Sequence, residues 1–517
     1  MAQRLVLATI SVAVFSSSAL SQAASPDPVV ARIERLARDS SQLVPLAHAL
    51  LDSIGPRMTG TPELERGNDW LVRQYRGWGI DAKNEATGTW RGWRRGHSHI
   101  DLIHPRVRTL EGTMLGYSPG TGGKDVTAAT IILPKFADST EFARWLPQAR
   151  GKLVLVSAPK PTCRAIENWV EFGTQESKSA LARTLDSLNS EWTSRNVRGT
   201  GYNLALGTGD LGIRMEQAGI AGMITSRPKD AWGTYEVFET YNTRAPAIGL
   251  SCEDYGLVYR LTKSGAGPRL RLNLDAQLLG ERPVFNTIAT IRGVEKPDEY
   301  VVLSSHFDTW DAASGATDNG TGTLMMMEAM RILRQVYPRP RRTIISGHWI
   351  AEEQGAHGSR AFAEDRPEVI RGMQALFNQD NGTGRIMRIS GAGLPDAAEH
   401  LQGWLSQLPD SARARVQYQA PGRPAGRGSD DASFGCLGAP AFSLNSLGWS
   451  YGNYTWHTNR DTYDKVVFDD LRFNAGLVAM LAYLAAEDPE LATRERVAGT
   501  AWPDCQPAGR RTIPRAR

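Results

Sequence analysis

Hydrophobic positions recur along this chain with several different periods, and the changes of period divide it. Val29, Ile33 and Leu36, then Leu43, Leu46 and Leu50, fall at helical spacing, and a second such stretch runs near Trp70 to Trp78. Residues from about 28 to 90 therefore read as helical. Gly55-Pro56 and Thr59-Gly60-Thr61-Pro62 interrupt the helices with turn residues. A Gly-rich, β-rich section follows to about residue 123. Residues 125–284 read as a separate α/β unit. Within it Gly151–Val156, Gly222–Thr225 and Pro246–Leu250 are short apolar strands and Arg214–Ala221 is a helix. In Arg269–Leu274, Leu270, Leu272 and Leu274 alternate as on one face of a strand.

From about residue 282 the alternation becomes regular. Asn286–Arg292 reads as a strand, and Tyr300–Ser305 as a buried strand ending at His306. Thr321–Val336 is a helix with Leu324, Met327, Met330 and Ile332 toward a core. Arg342–Ala351 is a strand ending at Glu352. Leu376–Gln379 leads to Asp380, and Ala441–Leu444 is a late strand. Strands alternating with helices predict an α/β fold, a mostly parallel twisted sheet flanked by helices. Functional groups in such sheets collect at the carboxyl ends of the strands.

Composition refines this picture without redirecting it. The 517 residues are 41% hydrophobic and 22% charged, which suits a large globular protein of two or three structural units. A net charge of +4 gives no argument for nucleic acid as a partner. Arg4, the apolar run Leu5–Phe15 and the small residues Ser21 and Ala23 have the form of a signal peptide over residues 1–23. That run is too short to span a bilayer, which takes about 20 apolar residues, so export to a secreted or periplasmic location is expected. Cys163, Cys252, Cys436 and Cys505 are too widely spaced for a C-x-x-C metal site and are read as structural, with their pairing open. Residues 491–517 read as a basic, Pro-containing tail.

The chemistry concentrates in five segments. Ser305-His306-Phe307-Asp308 is followed by Thr317-Asp318-Asn319-Gly320, Ala351-Glu352-Glu353-Gln354-Gly355, Gln379-Asp380-Asn381-Gly382 and Trp456-His457-Thr458 with Asp461. Each alone has an ordinary explanation as a polar strand end, a solvated face or a turn. Together, His306, Asp318, Glu353, Asp380 and His457 form a set of imidazole and carboxylate ligands at strand ends. Zinc takes such a set where water and substrate must also enter.

The order H-x-D, D-N-G, A-E-E-x-G-x-x-G-S, D-x-G, H-T-x-x-D-T resembles the M28 family of zinc peptidases. Gly55-Pro-Arg57, Trp310-Asp311 and Arg341-Arg-Thr extend the likeness, which runs from about residue 30 to 485. The resemblance implies a zinc-exopeptidase (phosphorylase/hydrolase-like) domain over 24–124 and 285–490, with a protease-associated-like α/β domain inserted at 125–284. It implies two Zn2+ ions, with Asp318 bridging, His306 and Asp380 completing one site, and Glu353 and His457 the other. Glu352 would be the general base, and the Asp308 carboxylate would orient the His306 imidazole. Tyr451 or Tyr454 would donate to the oxyanion. One departure stands out: many M28 aminopeptidases carry Ser-Asp-His where this chain has Ser429-Asp430-Asp431. Asp431 is then either a ligand for a free α-amino group or a helix cap. Short peptides or dipeptides are the implied substrates, and a homodimer the implied assembly.

Competing patterns are weaker. Gly448-Trp-Ser450-Tyr-Gly452 matches a nucleophile elbow, but His457 follows Ser450 with no Asp between them. Gly207-Thr-Gly209-Asp-Leu-Gly212 matches a dinucleotide fingerprint within the 125–284 unit, where a Gly-rich turn explains it. His97 and His99 fit a polar loop. The M20 peptidases use a similar ligand set but carry their insert after the Glu-Glu motif. An M28 aminopeptidase, a glutaminyl cyclase-like relative with changed chemistry and an inactive binding module remain as alternatives. If 125–284 is an independent insert, its removal leaves the ligand set intact.

Overall fold

A computed structural model describes residues 27–193, 210–424, 426 and 428–505. The signal-peptide reading over 1–23, residues 207–209 of the Gly-rich motif and residues 506–517 of the tail lie outside them. Among the described residues, fourteen strands run in chain order. The first seven are β1 (Asp81–His104), β2 (Arg108–Thr109), β3 (Gly112–Met114), β4 (Val126–Ile132), β5 (Leu153–Leu155), β6 (Gly222–Thr225) and β7 (Ala247–Leu250). The rest are β8 (Arg269–Ile291), β9 (Lys296–His306), β10 (Arg342–Trp349), β11 (Met373–Asn378), β12 (Ile386–Ser390), β13 (Gln417–Gln419) and β14 (Ala441–Ser446). The order across the sheet is β13-β12-β14-β11-β9-β10-β8-β4-β5-β6-β7-β3, with β1 lying along β8.

The fold is a mixed α/β sheet flanked by helices. Strands β10, β9, β11 and β14 are mutually parallel, so their carboxyl ends share one edge. Strands β4 to β7 form a second parallel group. Antiparallel pairing enters where β8 meets β10 and β4, and in the β1–β8 ribbon. That ribbon corrects two expectations. The helical reading to residue 90 stops at the Pro62–Gly77 helix, and β1 begins at Asp81. Arg269–Leu274 and Asn286–Arg292, read as separate strands, belong to one continuous β8. The boundary expected at 284/285 therefore falls inside a strand whose early residues pair with β4 and whose late ones pair with β10.

Helix Thr321–Val336 forms over the expected residues but is buried nearly all round rather than along one stripe. It is packed between the sheet and the Pro28–Asp39 and Phe468–Glu487 helices. Two of its charged residues therefore have to neutralise each other. The Arg331 guanidinium donates to Glu328 at 2.8 and 2.7 Å and to the Ser40 carbonyl at 3.0 Å. The Gln42 amide also donates to Glu328, at 3.1 Å. A buried pair contributes little net stability when intact and costs a great deal when halved. Arg331→Leu should lower unfolding free energy in urea by about 3–5 kcal/mol, and Glu328→Leu/Arg331→Leu should recover most of it. A loss under about 1 kcal/mol in the single variant would refute this account.

Candidate metal centre

Three of the parallel strands deliver the ligand set directly. Strand β9 ends at His306, β11 runs into Gln379-Asp380, and β10 runs into the loop carrying Glu352 and Glu353. Asp318 sits in a tight turn, Ala316–Gly320, that opens the Thr321–Val336 helix. Gly322 is required there: a Cβ would come within 2.4 Å of the Asn319 amide oxygen. Asn319 donates to the Gln379 carbonyl at 2.7 Å, tying the Asp318 turn to the Asp380 loop. His457 follows β14 on a loop and adopts a positive φ of 58°, as does Ala351 (53°) before Glu352. Non-glycine residues in that region concentrate where function fixes the backbone.

These side chains converge. His306 Nε2 lies 3.0 Å from Asp380 Oδ1 and 3.2 Å from Asp318 Oδ1. His457 Nε2 lies 2.9 Å from Glu353 Oε2 and 3.1 Å from Asp318 Oδ2. One donor atom from each of His306, Asp318 and Asp380 falls within 4.8 Å of the others, and the same holds for Asp318, Glu353 and His457. Asp318 belongs to both groups.

The electrostatics show why a cation fits. Burial pushes Glu353 up to about 7 despite the facing imidazole, and pushes Glu352 well above the carboxylate range, with Asp380 adding to it. Burial lowers His457, but the Glu353 and Asp318 carboxylates outweigh it and lift the imidazole to about 10. Burial likewise raises Asp318, but hydrogen bonds from both imidazoles hold it below its ordinary value. The imidazoles supply positive charge that the carboxylates need, a role a bound dication takes over with neutral His ligands. The buried Glu353 Oε1 also lacks a hydrogen-bond partner. Spare carboxylate lone pairs on a shared cluster suit zinc.

The surrounding residues are placed differently from expectation in several cases. His306 Nδ1 faces the Asp308 backbone carbonyl at 3.0 Å, whereas the Asp308 carboxylate is 3.7 Å away. That carboxylate instead accepts from the amides of Glu352 (3.1 Å) and Glu353 (3.3 Å) and from Thr59 Oγ1 (3.2 Å). It fixes the Glu-Glu loop because the chain turns back over it at the end of β10. Asp431 does not line the cleft. It opens the short Asp431–Gly435 helix, and its carboxylate takes the Ser443 hydroxyl. Tyr451 lines the cleft beside Asp318 and His457, while Tyr454 borders a neighbouring depression with Trp449 and Lys465. Ser450 is exposed, and His457 is engaged by Glu353 and Asp318, so the elbow pattern assembles no triad. His97 and His99 sit on β1, with His97 against Asn273.

Two organising residues had no assigned role. Asp461 accepts from the Thr317 amide and hydroxyl, both at 2.8 Å, and from the Asp318 amide at 3.0 Å. Its place in the H-T-x-x-D-T pattern was the available signal. Arg57 is fully buried and donates to the carbonyls of Phe307 (3.0 Å), Gly55 (2.8 Å), Ser314 (2.9 Å) and Gly315 (3.3 Å). Burial pulls its guanidinium down to about 10 against the support of Asp461 and Asp308. An arginine in a Gly-Pro-Arg turn gives no hint of that role from spacing.

The second strand group also touches the centre. The Val237 amide donates to the His457 carbonyl at 3.0 Å, and the Phe238 ring meets the His457 ring edge-on at 5.2 Å. Asn459 exchanges hydrogen bonds with Tyr235. Excising 125–284 would remove these supports and cut β8.

Comparison with known proteins agrees with this geometry. Residues 286–482 match the peptidase family M28 domain. Carboxypeptidase Q of Bos taurus is 25% identical over 447 residues, covering 86% of this chain and 85% of that protein. In fold, the chain is similar to a peptidase M28 precursor from Shewanella amazonensis, with TM-score 0.64, 22% identity, and 90% and 97% of the two chains covered. It is also similar to a zinc aminopeptidase from Bacillus subtilis, with TM-score 0.54, 17% identity, and 88% and 96% covered. Residues 286–482 thus form a peptidase family M28 domain, and the chain as a whole is similar to peptidases of that kind.

Proposed function

We propose that the protein is a dinuclear zinc exopeptidase that hydrolyses short peptides, acting as a dipeptidase of the carboxypeptidase Q kind. The observation that carries this is the double use of Asp318, whose two oxygens face separate ligand groups. His306 and Asp380 would hold one ion, Glu353 and His457 the other. Zinc supplies Lewis acidity toward the scissile carbonyl and lowers the pKa of water.

The protein groups then divide the remaining work. Glu352 lines the cleft without belonging to either ligand group, and its raised affinity for protons suits a general base. It takes the proton of the attacking water and returns it to the leaving amine. The Asp308 carboxylate holds the Glu352 and Glu353 amides and so aims that base. Tyr451, which lines the cleft, would donate to the oxygen that gains negative charge. The two disulfides, Cys163–Cys252 and Cys436–Cys505, support maturation in an oxidising compartment after export. No helix among the described residues is long and apolar enough to cross a membrane.

Glu352→Gln should retain zinc and lose most turnover, by on the order of 10²–10⁴-fold; near wild-type hydrolysis would remove Glu352 from the base role. Metal analysis of Asp318→Ala should find neither ion firmly held, and two retained zinc ions would refute the bridge. Asp461→Ala should weaken zinc binding by about 10–100-fold in chelator competition, because the Asp318 turn loses its anchor. An unchanged affinity would show that the turn holds without it. Product analysis with a dipeptide, its N-blocked form and a longer peptide tests the exopeptidase reading. Rapid cleavage of the free dipeptide is expected, and cleavage of the blocked substrate alone would favour a strict carboxypeptidase.

A further inference from the structure

Residues 491–505, the described part of the segment read as a basic, Pro-containing tail, are held against the folded chain. Ala492 is buried, and the Arg494 guanidinium donates to the carbonyls of Ile370 (3.3 Å), Arg371 (3.3 Å) and Met373 (2.5 Å). The Arg496 guanidinium lies 4.5 Å over the Trp502 ring. Trp502 Nε1 donates to the carbonyls of Gly435 (3.0 Å) and Cys436 (3.1 Å), and Cys505 is bonded to Cys436. The chain is thereby brought back over the end of the Asp431–Gly435 helix, and Pro503 and Asp504 line the metal-centre cleft together with Cys436, Ser433 and Arg360. The cleft is about 480 Å³, in the ~300–1,000 Å³ range of small-ligand sites. The strap falls beyond residue 482, where the M28 domain match ends.

We propose that residues 501–505, stapled by Cys436–Cys505, form a fixed wall of the substrate cleft that limits the length of peptide it accepts and places the Asp504 carboxylate to favour positively charged substrate residues. This rests on the peptidase reading above and names the substrate class of the same site. The physical case is one of anchoring. A segment of five residues held only by its own contacts would fray at little cost, but here one covalent bond and two indole hydrogen bonds hold it on the helix that borders the cleft. A wall held in that way excludes chain that a loose segment would let pass. Among the residues lining the cleft, Asp318, Glu353 and Asp380 are assigned to the metal centre and Glu352 to the base, which leaves Asp504 as the carboxylate available to a substrate side chain.

The test uses the full-length, zinc-loaded chain with alanine di- and hexapeptides, and with dipeptides carrying Lys or Glu. In Cys436→Ser/Cys505→Ser, the hexapeptide-to-dipeptide ratio of kcat/KM should rise on the order of tenfold with zinc content unchanged. In Asp504→Lys, which leaves the staple intact, the preference for Lys- over Glu-containing dipeptides should reverse. Equilibrium binding of the same peptides to Glu352→Gln, with and without the strap changes, reads the same ratios without turnover. An unchanged length ratio and an unchanged charge preference overturn the strap. A wild-type chain that binds zinc and hydrolyses none of these peptides overturns the exopeptidase reading instead, and the binding ratios still decide the strap.

Discussion

Asp318, Glu353 and Asp380 are carboxylates crowded around two imidazoles at the buried edge of a sheet, and that crowding constrains everything nearby. Like charges at such separations repel strongly where water is excluded. The cluster persists only if positive charge occupies its centre. Protonated His306 and His457 can supply it, and a dication supplies it better while leaving the imidazoles as neutral ligands. The centre is therefore unfavourable as an empty polar pocket and favourable as a metal site, which also accounts for the unpartnered Glu353 Oε1.

Holding that geometry falls to residues that bind backbone rather than metal. Asp461 receives the amides of Thr317 and Asp318, Asp308 receives those of Glu352 and Glu353, and Arg57 gathers four carbonyls from the turns beside them. Loops with irregular backbone expose more polar groups than helices or strands can pair internally. Buried charged side chains satisfy several of those groups at once and fix the loops relative to one another. The loops are ordered because the charges are buried, and the charges tolerate burial because the loops bond them.

The cleft is assembled from distant parts of the chain. The parallel strands β9, β10 and β11 bring up three of the candidate ligands, the β4–β7 group buttresses His457 through Val237 and Phe238, and the strap after the last helix lines the cleft as well. The long β1–β8 ribbon joins the two strand groups into one sheet. Support for the His457 loop thus comes from the segment that composition alone marks as separable.

Local pattern makes legible the elements whose period is local and the candidate ligands tied to them. Apolar runs at β9, β10, β11 and β14 and the helix Thr321–Val336 are legible because burial of a strand or helix imposes a period on its own residues. His306, Glu353 and Asp380 follow because strand ends in parallel sheets are where such groups collect. Tertiary structure alone decided the rest. Whether Asp308 meets an imidazole through its carboxylate or its carbonyl depends on the path of a loop 44 residues later. The 23-residue β8 was hidden because each half pairs with a different partner, and the choice of partner leaves no period in the strand itself. Arg57, the pairing of Cys436 with Cys505, and the return of residues 501–505 to the cleft are long-range closures. Their energies depend on groups hundreds of residues apart or on chain direction after a helix ends, quantities that no local pattern encodes.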